Sequence, residues 1–597
     1  MDTQENLVTY YRAELESLRR AGSAFAIRYP KVASALELGS HGSTDPHVER
    51  LIESFAYLTA RLQKRMDDRF PEITTGLLGT LYPHMVQAVP PMTIVQCSPD
   101  PTSGKVTSGY TMPRGTQLFA AAEDGVTCRF RTSYDTTVWP LRVVEANFPP
   151  KSFADFLDHR NAVQTVLRLR IEPVGCTLDE LNFTSLRFFL SGETQLTGML
   201  YELILGHTLN VALFDPATQQ VTLLPPESVR AVGFAEGQDV IPYGPQSHPA
   251  YRLLQEYFTL PEKFMFFDVE GLDQRPNTNG LELLFLLNTL PRARIALTPE
   301  SFRLGCTPVI NLFSRTSEPI RVDHRRTEYR LIPDLRRERT TEIHSITSVI
   351  SSTNPQDSTA TVRPFYDFSA EDSPATLFWY ARHQASEDHT MQGTETILSF
   401  VDLNFDPRLP PSQTVYAHLL CTNRGLATQL AEGALLTTEL PSPLASIRCL
   451  RKPTQTGYPP LGGSSRCALI SNLSLNHLSI DEGEHSLAAL KKILRLYSLQ
   501  DLPDVLRQIE GIRGLETRPV LRRMGNDWKG WGQGRQIRLI LDESFYEGVS
   551  VYLFASVLRQ FFALYGSVNS FSEVVVETMQ KSTTHHFPPM NSGQPRF

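Results

Sequence analysis

The feature that most constrains this chain is a change of period near residue 90. Before it, apolar or small residues fall at Leu7, Tyr11, Leu15, Leu18, Gly22, Phe25 and Tyr29, at spacings of 4, 4, 3, 4, 3 and 4. That is close to a heptad seam on a helix. Pro30 ends or kinks that helix. A second stripe runs Val48, Leu51, Phe55, Leu58, Leu62 at spacings of 3, 4, 3 and 4. Asp45 suits its N-cap, Pro46 its first position, and Glu49 the first turn, where the helix dipole favours an acid. A third, shorter helix is expected from Pro71 to Pro83. Residues 7 to 29 alone would make a rod of roughly 35 Å at 1.5 Å per residue. Such a rod is hard to bury within ninety residues. The two stripes are either a local hairpin core or a seam that docks partner helices.

From about Pro90 the texture is short β-branched or alternating runs between turn residues: Thr93 to Gln96, Val163 to Ile171, Leu186 to Leu190 and Val221 to Leu224. This pattern belongs to antiparallel sandwiches or barrels. Three linkers are expected: 352–358, 383–393 and, richest in Pro, Gly, Ser and Thr, 441–465. Beyond them the pattern is mixed. His485 to Leu499 and Ser550 to Leu564 read as helices, Gln536 to Asp542 as a strand, and the Pro-rich end from Ser582 as frayed. The fold class is therefore α+β and multidomain. The division is an N-terminal helical segment (1–90), a β-rich middle domain (91–320), a second β-rich domain (321–465), a mixed α/β C-terminal domain (466–582) and a tail (583–597).

Signatures of chemistry are missing. The sequence contains no Gly-x-Ser-x-Gly, His-Glu-x-x-His or Gly-Lys-Ser/Thr string. Gly530-Trp531-Gly532-Gln533-Gly534 precedes a strand, whereas a dinucleotide loop follows one, so a hairpin turn is the better reading. Asp67 and Asp68 are adjacent on a helix and point about 100° apart, so they do not converge on one reacting atom. His585-His586 sits in the tail with no carboxylate or thiol beside it in the sequence, and no metal is assigned there. Seven scattered cysteines, the closest pair eighteen residues apart, form no Cys-x-x-Cys and fit a reducing cytosol. No basic start followed by an apolar run suggests an export signal, and no run approaches the roughly 20 apolar residues of a membrane span.

Lys and Arg number 57 against 64 Asp and Glu, a net charge of -7, which disfavours a nucleic-acid or anionic-lipid binder. The seven arginines between Arg321 and Arg339 are interleaved with Asp323, Glu328, Asp334 and Glu338, so a salt-bridged surface or a protein interface is expected there. Trp379-Tyr380, Trp528 and Trp531 would be sugar platforms if the chain were a cytosolic β-rich carbohydrate-binding module, the alternative function; core or interface aromatics are the simpler reading.

Nine strings, in order along nearly the whole chain, carry a family resemblance. They begin with Tyr10-Tyr11-Arg12-Ala13-Glu14-Leu15 leading to Phe25-Ala26-Ile27-Arg28-Tyr29-Pro30, then the run from Asp45 to Arg61, Asp67 to Glu72, and Leu81-Tyr82-Pro83-His84. Tyr251 to Phe258, Pro261-Glu262-Lys263-Phe264 and Cys306 to Phe313 follow, then Ser471 to Asn476 and the closing Leu553-Phe554-Ala555 through Asn569-Ser570-Phe571. Asn472 stands where His is expected. The chain resembles the TssF (VasA, ImpG) family, a baseplate component of the bacterial type VI secretion system. The resemblance implies a non-enzymatic, cofactor-free, cytoplasmic part of a phage-tail-like contractile machine. It implies two copies joined to one TssG, with TssK and TssE completing a wedge. Wedges would surround the VgrG hub, nucleate the sheath and dock on the inner-membrane complex. The expected interface residues are those of the two stripes: Leu7, Tyr11, Leu15, Leu18, Phe25, Val48, Leu51, Phe55, Leu58 and Leu62.

Overall fold

The structure, a computed structural model, describes residues 2–35, 37–39, 42–43, 45–69, 78–79, 82–100, 108–122, 125–150, 162–215, 218, 220–244, 247–275, 280–291, 296–322, 326–352, 360–365, 377–386, 388, 391, 393–402, 413–459, 486–498, 502–523, 531–566, 570–580 and 584–591. The described residues fall into two compact units that divide between Thr80 and Leu81.

The first unit is helical. Helix α1 spans Asp2–Arg28, α2 Pro30–Ala35 and α3 Pro46–Arg69. Pro30 is the first residue of α2, the position where its missing N–H and fixed φ are tolerated. At the start of α3 the Asp45 carboxylate accepts from His47 N at 2.8 Å, which caps the helix. Leu38–Gly39 and Gly42–Ser43 pair as a two-stranded ribbon, which the periodicity did not announce. The expected helix from Pro71 to Pro83 lies mostly outside the described residues; Pro83–Met85 is a single 3-10 turn.

The second unit is built from sheets. Six strands pair in the order Leu435–Leu436, Leu444–Cys449, Met92–Pro99, Cys306–Ile310, Thr127–Thr132 and Gln117–Ala121. Sheets of five and four strands lie between residues 141 and 303, and an eight-stranded sheet takes residues 313–422. Leu281–Leu287 is buried at every position, because the five-stranded sheet covers it on both sides with neighbouring strands and on both faces with side chains.

Two helices interrupt the β-rich stretch where only strands were expected. Helix α4 (Thr194–Gly206) buries Thr197, Gly198, Leu200, Tyr201, Leu203 and Ile204, so its apolar residues surround the axis and leave no one-sided stripe. Helix α5 (Pro249–Thr259) starts with Pro249 behind the His248 N-cap.

The sheets cut across the boundaries read from the sequence. The six-stranded sheet joins Met92–Pro99 to Leu444–Cys449, so residues on both sides of position 320 share it. The 441–465 stretch, read as a linker, thus contributes a strand whose Ile447 and Cys449 are buried. Two hydrophobic contacts in the core outweigh a turn-rich composition.

The C-terminal part is mixed α/β. Helices α6 (Ser486–Tyr497) and α7 (Pro503–Glu510) precede the hairpin Ile512–Arg523 and Trp531–Leu541, with Arg523 opposite Trp531. Helix α8 (Val551–Tyr565), capped by Ser550, crosses over to Phe571–Thr578, which pairs parallel with Trp531–Leu541. A parallel pair needs such a crossover. Thr584–His586 and Met590–Asn591, assigned to a frayed tail by composition, pair antiparallel with Phe571–Thr578. The sheet edge satisfies their backbone groups, a gain invisible in a Pro-rich sequence.

Candidate functional site

Helices α1 and α3 pack on one another through small residues. Ala56 and Ala60, four apart on α3, are fully buried, and their methyl groups let the backbones approach. The Arg19 guanidinium of α1 donates through Nε to Glu49 of α3 at 2.9 Å. Glu49 therefore serves both the helix dipole and the helix pair.

The ten stripe residues divide between two environments. Leu7, Tyr11, Leu15, Leu18 and Val48 are half-buried. Phe25 is exposed, with its ring 5.2 Å from Tyr29. Leu51, Phe55, Leu58 and Leu62 are 73%, 58%, 54% and 59% exposed. The largest apolar side chains of α3 thus point away from α1, and alanines fill the contact. Of the twenty exposed large apolar side chains among the described residues, ten lie between Val8 and Leu62. Half of the exposed large apolar side chains among the described residues are thus gathered in the N-terminal helical unit.

The other sequence candidates give no reaction centre. Arg330 pairs with Glu338 at 2.5 Å and Glu395 at 2.9 Å, and Arg315 with Asp334 at 3.0 Å, so the arginine-rich segment is in part internally neutralised. The Trp379 indole N–H donates to Val362 O at 3.1 Å, inside the eight-stranded sheet. Trp528 lies outside the described residues. Gly534, from the glycine-rich string, sits in the strand Trp531–Leu541 with the Phe571 ring against it. Burial pushes the thiols of Cys97 and Cys421 up to about 12 and that of Cys128 to about 11, which keeps them protonated and unreactive. No helix among the described residues is long and apolar enough to cross a membrane.

Sequence reasoning missed a buried ion pair. Lys263 Nζ hydrogen-bonds the Glu256 carboxylate and donates to Gln238 O at 3.0 Å, while Glu256 Oε1 accepts from Val240 N at 2.7 Å and Ile241 N at 2.9 Å. Both side chains are almost wholly buried. Their presence in adjacent family-like strings was the available signal; their pairing was not.

An apolar helical face on one unit and a second unit of interlocked sheets define a structural subunit of a larger assembly. The family model for type VI secretion system TssF proteins matches residues 3–594, and the chain belongs to that family. It is a baseplate component of the type VI secretion system. It is 33% identical, over 99% of each chain, to type VI secretion system component TssF1 of Pseudomonas aeruginosa. It is similar to a chain of the TssK-TssF-TssG baseplate subcomplex solved by cryo-electron microscopy. There the TM-score is 0.74 at 25% identity, covering 92% of this chain and 99% of that one. A chain of a type VI secretion baseplate complex shares the fold, with a TM-score of 0.59 at 22% identity over 98% and 100% of the two chains.

Proposed function

We propose that residues 5 to 85 lend α1 and α3 to a helical bundle shared with TssG and a second copy of this chain, two copies to one TssG. The exposed stripe Leu51, Phe55, Leu58, Leu62 carries this reading. Burying four such side chains is worth about 1.5–3 kcal/mol each, on the order of 6–12 kcal/mol before ordering costs. TssK and TssE complete the wedge, and wedges surround the VgrG hub and nucleate the sheath in the cytoplasm against the inner-membrane complex. The sheet-built unit acts without catalysis, as a spacer and contact surface that holds neighbours at fixed distances.

Leu51→Asp with Leu58→Asp tests the bundle. Both positions are exposed, so the purified chain keeps its melting behaviour while co-purification with TssG is lost. Retained co-purification by the folded double variant rejects the reading.

A further inference from the structure

Three side chains distant in sequence converge at the C-terminal end of α4. Glu202 lies in its last turn, and His207 caps it, donating its backbone N–H to Leu203 O at 3.2 Å. His585 arrives from the strand Thr584–His586. Both His207 Nε2 and His585 Nε2 stand 3.8 Å from the same atom, Glu202 Oε1. All three donor atoms lie within 4.8 Å of one another. The side chains are 23%, 18% and 14% exposed for His207, Glu202 and His585, so the cluster is shielded yet open to a small ion.

The surroundings orient the donors. His207 Nδ1 lies 2.9 Å from Asn288 Oδ1, and Asn288 N donates to His207 O at 3.0 Å. Asn288 accepting from Nδ1–H selects the tautomer whose Nε2 lone pair faces Glu202. A carbonyl behind a histidine is how metal-binding imidazoles are commonly held. The His585 ring packs edge-on to Tyr552 at 5.6 Å, and the Tyr552 hydroxyl donates to Leu205 O at 3.2 Å. The ring is thereby fixed to the same turn that bears Glu202.

A separation of 3.8 Å is long for a hydrogen bond. A tetrahedral zinc with bonds of about 2.0–2.1 Å would hold donors roughly 3.3 Å apart, so closing on an ion draws each imidazole about 0.5 Å nearer Glu202 and brings the two imidazole nitrogens, which lie within 4.8 Å, together by up to about 1.5 Å. Two imidazole nitrogens and one carboxylate oxygen suit zinc and its neighbours rather than magnesium or calcium, which take oxygen ligands. We infer that Glu202, His207 and His585 form a site for a divalent transition ion, zinc foremost, with water as fourth ligand. The ion pins the C-terminal strand to the end of α4. The site is structural: it adds a fastening to a strand that a few backbone hydrogen bonds hold at the sheet edge.

The test uses the full chain, free of any affinity tag and stripped with chelator, titrated with zinc and separately with cobalt. One equivalent of zinc binds, and cobalt gives the visible absorption of a tetrahedral site. His207→Ala, Glu202→Gln and His585→Ala each weaken binding at least tenfold, whereas His586→Ala, which alters the neighbouring imidazole outside the cluster, binds as the parent does. Zinc also slows amide exchange at residues 584–586 in the parent chain, a readout independent of whether any variant folds. Binding no tighter than in the His207→Ala, His585→Ala double variant overturns the site. So does equal weakening by His586→Ala, or exchange at 584–586 that zinc leaves unchanged.

Discussion

Asn311 and Asn423, 112 residues apart, exchange two hydrogen bonds: Asn311 Nδ2 donates to Asn423 Oδ1 at 2.9 Å, and Asn423 N donates to Asn311 Oδ1 at 2.7 Å. Both residues are buried. Asn311 follows the last strand residue of Cys306–Ile310 in the six-stranded sheet, and Asn423 follows Gln413–Thr422 in the eight-stranded sheet. Arg129 closes the group, its N–H donating to Asn423 Oδ1 at 2.8 Å and its carbonyl accepting from Asn311 Nδ2 at 2.7 Å. Two amide side chains thus tie the end of an interior strand of one sheet to the end of an interior strand of the other.

Asn311→Ala removes three of these hydrogen bonds and leaves buried backbone groups of Arg129 and Asn423 short of partners. The expected loss is about 2–4 kcal/mol. In urea unfolding the midpoint falls while the slope stays that of the parent; an unchanged midpoint shows that water replaces the lost amide.

Lys263→Met leaves the Glu256 carboxylate buried with only the Val240 and Ile241 N–H groups as partners. Burial already drives the Lys263 pKa below the lysine range, against the pull of Glu256. Breaking such a pair costs about 3–5 kcal/mol. Lys263→Met with Glu256→Gln keeps an acceptor for both N–H groups and removes the lone charge, so it is the more stable variant. A double-mutant cycle in denaturant measures the coupling.

Stability falls as pH drops from about 6.5 toward 3. Burial lowers His84 and His344 to about 3; for His344, His383 and Arg131 add to the effect. The unfolded chain takes up these protons below about 6.5, whereas the folded chain takes them up only near 3. Each histidine's contribution is therefore full above 6.5 and is lost through that window, at about 1.4 kcal/mol per pH unit. His84 Nδ1 meets Ser247 Oγ at 2.9 Å, and its ring stacks 4.5 Å from Tyr243. His84→Phe keeps the stack and removes the proton, so proton uptake on unfolding at pH 5 falls by about one.

Gly534→Ala places a Cβ 2.5 Å from the Phe571 ring. Overpacking of this kind costs about 1–3 kcal/mol. Phe571→Leu added to Gly534→Ala recovers part of the loss, a non-additivity that thermal melts of the four proteins resolve.

Local elements were legible where one period governs a stretch. The N-cap of Asp45, the break at Pro30 and the helix from Ser486 each follow from neighbours within four residues. The stripe on α3 was legible as apolar but not as exposed, because periodicity reports a face without reporting what meets it. Helix α4 was not legible, since apolar residues all round its axis erase the contrast that periodicity needs. The strand Leu444–Cys449 was hidden by its turn-rich flanks and by a partner some 350 residues earlier.

Sequence by itself determined the local conformations, the change from helical to β-rich chain, the lack of familiar catalytic strings and, through its ordered strings, the family. Tertiary structure decided which strands share a sheet, where the units divide, which apolar stripe stays exposed, and that His585 meets Glu202 and His207. The physical reason is range. Capping, backbone sterics and helical period act within a turn or two, whereas strand pairing, buried charge and ligand convergence depend on residues brought together only when the chain has closed.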